Sequence, residues 1–350
     1  MEQRLNDTTT TPKTYYNSYS TWFILLVLGV FVFVMVVSLR GGVTGFSESF
    51  PGRKMMIASF NRLRYSLGDR VFPQVLIGQE GWMEYTADGN LDDYQNAYLD
   101  PTNLESIRKK LIALDEELAQ RNITLIVVVV PNKATIYPDK LPASLDKLQK
   151  TSRLDVFLDL MEQSDPGLVL DVRPALKEAR ESHQVYYRTD THWNSLGAYT
   201  AYLQIMTAVS QAYPELQPYM LNKFRIKETN PQTMDLALVN GMSFIQEAPV
   251  LVEPKFDRVA HFQRFPPLSS FSMSWGMGDQ EQTLLMYHDS FGVALRPFLM
   301  NHFKQAMYIL NSADPNTSSL SWIDIVQPDI VIIEVAERSL PYLNTLLSNP

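Results

Sequence analysis

Residues 123–130 read Ile-Thr-Leu-Ile-Val-Val-Val-Val. The run is β-branched and aliphatic with no polar alternation, so it predicts a strand that other elements cover on both faces. Such a strand belongs to an α/β sheet. Upstream, Leu104, Ile107, Leu111, Leu114 and Leu118 recur at three- and four-residue spacing, which predicts an amphipathic helix over 104–121. Working outward, the spacing predicts helix 154–163, strand 168–172, helix 174–182 with Pro174 in its first turn, strand 184–188 and helix 196–213. Further on it predicts strand 283–287, helix 293–303, strand 306–310, helix 320–326 and strand 330–335. The expected architecture is a parallel sheet flanked by helices.

Before this body, a helix is predicted at about 55–67, and residues 75–85 read as two short strands around a glycine turn that packs Trp82. Between 214 and 282 regularity fails, with Pro214, Pro218, Pro231, Pro249, Pro254, Pro266 and Pro267 scattered among polar and aromatic residues. A stretch this long inside a compact domain reads as an irregular insertion. Its Phe244, Phe256, Phe262, Phe265, Phe271 and Trp275 suit either core packing or stacking on sugar rings.

The 350 residues carry 30 Lys and Arg against 38 Asp and Glu, a net charge of -8. An acidic body argues against nucleic acid as a partner and gives no basic footprint for anionic surfaces. The chain has no cysteine, which excludes thiolate catalysis and Cys-ligated metals. Residues 21–39, TWFILLVLGVFVFVMVVSL, form an uncharged run that would span roughly 28 Å as a helix, close to the hydrocarbon thickness of a bilayer. Trp22 stands where an interfacial aromatic belongs. A cleaved signal peptide is the competing reading, although residues 38–42, SLRGG, lack an A-x-A-like site. The expected organisation is a tail at 1–20, a single-pass transmembrane anchor at 21–39, a linker at 40–70 and one domain over 71–350 containing the insertion.

Chemistry concentrates in two stretches. Residues 185–197, VYYRTDTHWNSLG, put Asp190 and His192 two positions apart on a predicted loop at a strand's end. Residues 283–292, TLLMYHDSFG, run an apolar strand into Ser290 at a predicted strand-to-helix turn. There its own N–H and those that follow are expected to face a developing oxyanion. Together they form a candidate triad: Ser290 as nucleophile, His192 as base, Asp190 as its orienting carboxylate. Asp190 and His192 also read as ordinary polar loop residues, or as two metal ligands, but no third ligand follows at a familiar spacing. His288 and Asp289 adjoin the serine, yet neighbouring side chains at a strand end point apart. The block is not a G-x-S-x-G elbow, because His288 replaces the first glycine.

Asn132 and Lys133 close the 123–130 strand, at the edge where open α/β sheets bind ligands. With Tyr187 and Arg338 they are the substrate-binding candidates; turn formation and internal ion pairing are the plainer roles for Asn132, Lys133 and Arg338.

Six segments resemble, in order, the alginate O-acetyltransferase family: IGQEGWMEY (77–85), VVVPNKATIYPDKLP (128–142), VLDVRPALKEA (169–179), VYYRTDTHWNSLGAY (185–199), YHDSFG (287–292) and PDIVIIEVAER (328–338). The resemblance covers roughly residues 70–345, and its specific part is the TDTHWN and DSF blocks in that order. It implies an SGNH/GDSL-hydrolase-like α/β domain, with the family's D-x-H pair on Asp190 and His192 and its nucleophile on Ser290. It further implies a cofactor-free O-acyltransferase acting on hydroxyls of an exported polysaccharide. A multi-span membrane protein would donate the acetyl groups. The short N-terminal tail would then lie in the cytoplasm, and the catalytic domain in the periplasm or outside the cell, held at the inner membrane. His288 departs from the glycine of many SGNH proteins, which bears on the shape of the turn. A polysaccharide acetylesterase, and a non-catalytic scaffold or binding subunit of an export complex, remain open alternatives.

Overall fold

Helices cover both faces of the 123–130 strand in the computed structural model, which describes residues 21–33, 36, 52–97, 99–256, 261–265, 268–276, 280–311 and 319–348. The chain divides into two compact units, residues 1–59 and 60–350. In the first, residues 21–33 and 36 are helical. Among the described residues no helix is long and apolar enough to cross a membrane. Residues 34, 35 and 37–39 of the expected anchor, and the tail 1–20, lie outside the described residues.

In the second unit the strands are, in chain order, β1 (Val71–Phe72), β2 (Val75–Ile77), β3 (Met83–Tyr85), β4 (Thr124–Val130), β5 (Val169–Asp171), β6 (Phe224–Glu228) and β7 (Val250–Pro254), then β8 (His261–Phe265), β9 (Leu268–Trp275), β10 (Thr283–His288), β11 (Gln305–Leu310) and β12 (Ile330–Ala336). The central sheet has the order β5-β4-β12-β10-β11-β9-β8. From β5 to β11 neighbouring strands run parallel. β9 is antiparallel to β11, and β8 to β9. The sheet is therefore mixed, not parallel throughout. The reason is local: β8 and β9 form a hairpin, whose strands must be antiparallel, and it adds to the free edge of β11. This also corrects the reading of 214–282 as irregular, since that stretch holds the β6–β7 pair, a helix at Asp235–Val239 and the β8–β9 hairpin.

Alternate side chains of β4 enter two different cores. Leu125, Val127 and Val129 pack with Leu104, Ile107, Leu111, Phe157 and Met161, from the helices Pro101–Gln120 and Arg153–Ser164. Ile126, Val128 and Val130 pack with Tyr199, Tyr202 and Ile205 of the helix Ser195–Ala212 on the other side. Each buried aliphatic side chain stabilises by roughly 1.5–3 kcal/mol. A one-residue slip of β4 would exchange the two sets, so its register is firmly held. Asp100 starts the first helix by accepting the N–H groups of Thr102 and Asn103.

Two predicted elements differ. Residues 184–188 do not join the sheet; Tyr186 makes an isolated antiparallel bridge to Trp193. The segment folds back on its own loop, with the Tyr187 N–H donating to the His192 carbonyl at 3.1 Å and the Asn194 N–H to the Val185 carbonyl at 2.9 Å. The helix expected over 293–303 is reduced to a turn at Gly292–Ala294 and one helical turn at Arg296–Leu299.

Candidate active site

β10 lies between β12 and β11 and delivers Asp289 and Ser290 beyond its C-terminal end. Asp289 fastens this turn. Its N–H donates to Glu334 Oε2 at 3.0 Å, while its carboxylate accepts the N–H of Phe291 at 2.8 Å and of Ala336 at 2.8 Å. Gly292 must be glycine here, because a Cβ would lie 2.4 Å from His288 Cβ and 2.8 Å from Glu334 Oε2. His288 is fully buried and donates Nδ1–H to the Asp289 carbonyl at 2.6 Å. Burial, reinforced by Arg296, drives its pKa down to about 3, so it stays neutral and faces inward. Burial, and after it the Asp289 charge, also pushes the Glu334 carboxyl well above its ordinary range. The turn thus turns both its histidine and its aspartate toward the protein and leaves Ser290 exposed.

The opposing loop is anchored from behind. Asn194 accepts the N–H groups of Leu196 and Gly197 to cap the helix Ser195–Ala212, and its amide donates to the Gln184 carbonyl. Gly197 permits a close crossing, since a Cβ there would meet the Val185 carbonyl oxygen at 2.2 Å. Asp190 Oδ1 accepts both the backbone N–H of His192, at 2.9 Å, and its ring Nδ1, at 2.8 Å. His192 Nε2 lies 2.8 Å from Ser290 Oγ. With Nδ1–H held by the carboxylate, Nε2 is the lone-pair nitrogen that faces the hydroxyl. Burial alone would raise the Asp190 pKa; the hydrogen bond and charge of His192 outweigh it and hold the carboxyl below its ordinary value.

Of the four further candidates, Lys133 and Asn132 are interior. Lys133 donates to the carbonyls of Met83, Asp190 (2.8 Å) and Tyr187 (3.4 Å), tying the Asp190 loop to β3. Asn132 donates its N–H to Glu337 Oε2 at 2.8 Å and accepts from Arg338 Nη1 at 3.2 Å. Arg338 also pairs with Asp88 at 2.8 Å and lies 5.1 Å above the Phe291 ring. Tyr187 is half-buried, and burial with the nearby Asp190 and Glu247 charges pushes its phenol up to about 12.

Three site residues carried no signal in the sequence. Glu247 accepts the N–H groups of Arg188 and Thr189 and the Thr189 hydroxyl, each at 2.9 Å. Asp235 accepts the Thr191 N–H and hydroxyl, each at 3.0 Å, and stands 3.9 Å from His192 Nδ1. Burial and the Asp190 charge raise its pKa. Asp190, His192 and Asp235 offer ligand atoms within 4.8 Å of one another, a spacing that a metal ion would accept. Binding one there would break the hydrogen bond between Asp190 and His192. Asn311 follows β11, and its buried amide has no hydrogen-bond partner among the described residues. With Asp289, Val335, Arg338 and Tyr342 it lines a cavity of about 460 Å³ beside the Ser290 turn. Phe291 N–H, expected to face an oxyanion, is instead taken by Asp289.

A sheet flanked by helices, with a serine at a central strand's end and an Asp-x-His loop against it, defines an SGNH hydrolase-like α/β domain. Residues 75–307 match the family described as ALGX: SGNH hydrolase-like domain, acetyltransferase AlgX, and the chain belongs to that family. It is similar to the "Probable alginate O-acetylase AlgJ" of Pseudomonas aeruginosa, 24% identical over 328 residues, which are 86% of this chain and 79% of that protein. To the protein of the same name from Azotobacter vinelandii it is 28% identical over 170 residues, 47% of this chain and 41% of that protein's length. The structure of Bacillus cereus PatB1 with a sulfonyl adduct shares the fold, with a TM-score of 0.57 at 14% identity, over 76% of this chain and 97% of that one.

Proposed function

We propose that the chain is a polysaccharide O-acetyltransferase working through Ser290. The observation that carries this is the pair of 2.8 Å contacts by which His192 bridges Asp190 and Ser290. His192 Nε2 takes the Ser290 proton as Oγ attacks the carbonyl carbon of an acetyl donor. The imidazolium, steadied by Asp190, returns that proton to the departing donor oxygen and leaves acetyl-Ser290. An acceptor hydroxyl then gives its proton to His192, attacks the acetyl carbonyl, and Ser290 departs with the proton. General base catalysis contributes about 10²- to 10⁴-fold. A polysaccharide acceptor is supported by the relatives' name, alginate O-acetylase. The cavity beside Asp289 and Asn311, of about 460 Å³, has the volume for an acceptor sugar.

The uncharged run 21–39 supports a single-pass anchor with the catalytic domain in the periplasm or outside the cell, beside a multi-span acetyl donor. A C-terminal reporter active only in the cytoplasm should stay silent; activity would reverse this orientation.

Incubating the full-length chain with a small acetyl ester should add one acetyl group to Ser290, detected by mass spectrometry. An equal adduct yield in Ser290→Ala removes the serine from the mechanism. The exposure of Ser290 supports a second reading as an esterase, because water can reach an acyl-serine there. Product analysis with oligosaccharide acceptors separates the two: acetylated sugar favours transfer, and free acetate unaffected by any acceptor favours hydrolysis.

A further inference from the structure

Beyond Ser290 the chain passes Val293 and Arg296 and packs against the β8–β9 hairpin. A second cavity, of about 270 Å³, opens there between Phe262, Arg264, Val293, Arg296, Pro297 and Met300. Its walls are apolar apart from two guanidinium groups, and neither arginine has a salt-bridge partner among the described residues. Arg296 is only 9% exposed. Its Nη1 donates to Ser272 Oγ at 2.9 Å, and the group lies 5.8 Å and 6.0 Å from the Phe262 and Tyr308 ring centroids. Its Nε is buried and has no hydrogen-bond partner among the described residues. Burial, and after it the charge of Arg264, pulls the guanidinium down to about 10. A buried cation beside a like charge is held at a cost that a bound anion would relieve.

The free edge of a guanidinium presents a planar fork of donors that fits the two oxygens of a carboxylate. The Phe262 side chain, 40% exposed, supplies a flat apolar face beside that fork. Val293 is three residues from Ser290, so the cavity mouth begins within about 11 Å of the nucleophile along the chain. Because the protein is net acidic, an acidic polymer is repelled by the body as a whole and needs a local cationic foothold. We infer that this cavity is a subsite for an acidic sugar residue of the acceptor, its carboxylate held by Arg264 and Arg296 and its ring resting on Phe262. The inference deepens the acetyl-transfer reading and rests on it for the acceptor. Arg264 and Arg296 bind in this scheme; they take no part in acyl transfer.

The test measures binding of an oligomannuronate, and of its neutral methyl-esterified form, to the full-length chain by calorimetry at low salt. The charged oligomer should bind at least tenfold more tightly than the ester, and Arg264→Gln should erase most of that difference. Arg264 is exposed, so this variant tests the site without disturbing the interior; Arg296→Gln, checked for native circular dichroism, should behave alike. Equal affinity for the two oligomers overturns the proposal, as does unchanged preference in Arg264→Gln. Competition by inorganic phosphate as effective as by the oligomer would also overturn it, because a free anion would then suffice. Acetylation of Ser290 in the wild type by a small neutral ester is followed in parallel. Its failure would count against acyl transfer while leaving the binding comparison intact.

Discussion

Trp193 donates its indole N–H to the Phe291 carbonyl at 3.1 Å, one residue beyond the contact between His192 and Ser290 on each side. Both rings are buried, and the His192 ring stacks obliquely on Phe291 at 4.9 Å. The side chains proposed as base and nucleophile are thus held by an adjacent tether as well as by their own hydrogen bond, an arrangement that would keep a reacting pair within fractions of an ångström.

Replacing Trp193 by Phe keeps most of the bulk and removes the tether. The expected outcome is about tenfold slower acetylation of Ser290, with a stability loss of about 1–2 kcal/mol from the unpaired Phe291 carbonyl. Stopped-flow acylation and urea unfolding measure the two separately; an unchanged acylation rate would show that the tether does not position the turn.

Asp190→Asn should preserve the loop but present the wrong tautomer of His192 to Ser290, lowering acylation by about 10⁴-fold by analogy with other serine triads. Ser290→Ala should abolish the adduct while leaving the melting temperature within the scatter of surface substitutions, since Ser290 is exposed. Full acylation by Asp190→Asn would reassign the orienting role.

Glu247→Ala leaves three donors of the Arg188–Thr189 segment without an acceptor. A loss of about 3 kcal/mol is expected in chemical unfolding, with slower acylation because the base loop loosens. Glu247→Gln should recover about half of each, by keeping one acceptor oxygen.

Asp93 gives a pH signature. It pairs with Arg153 at 2.6 Å, yet burial outweighs that partner and lifts its carboxyl to about 7. The geometry shows a real contact, while the direction of the shift says that desolvation dominates. A raised carboxyl binds its proton more tightly in the folded chain, so its stabilising contribution is whole below about pH 4 and fades as pH rises toward 7. Stability of the wild type should therefore fall with pH across this window, by up to about 1.4 kcal/mol per unit relative to Asp93→Asn. Identical pH slopes in the two proteins would refute the assignment.

The alternating helices and strands were legible because their signals are local: the uninterrupted aliphatic run of β4, and the three-four spacing whose five leucine and isoleucine positions are all buried. That Asp190, His192 and Ser290 meet was legible because the loops that carry them lie at the end of a bridge or a strand. The β8–β9 hairpin was legible only in part. Phe271, Met273 and Trp275 alternate with Ser272 and Ser274, a period-two pattern diluted by the prolines around it. Glu247 and Asp235 act through partners dozens of residues away, and no spacing announces such a contact. Asn132 and Lys133 were placed at the right strand end, but the inward direction of Lys133 depends on β3 and the Asp190 loop, and that of Asn132 on Asp93 and Arg338.

The hydrogen bonds from His192 to Ser290 and from Trp193 to Phe291 both join residues separated by 98 positions. Closing a flexible loop of that length alone would cost about 4 kcal/mol in chain entropy, more than these two hydrogen bonds, one exposed and one buried, return. The pair cannot assemble by its own attraction. It is held together by the rest of the fold, in which β4, β12 and β10 pair in one sheet and the helix Ser195–Ala212 packs on it. A chain halted before β12 leaves the ribosome would lack a strand that β10 pairs with, and would carry Asp190, His192 and Ser290 without the sheet that brings them together.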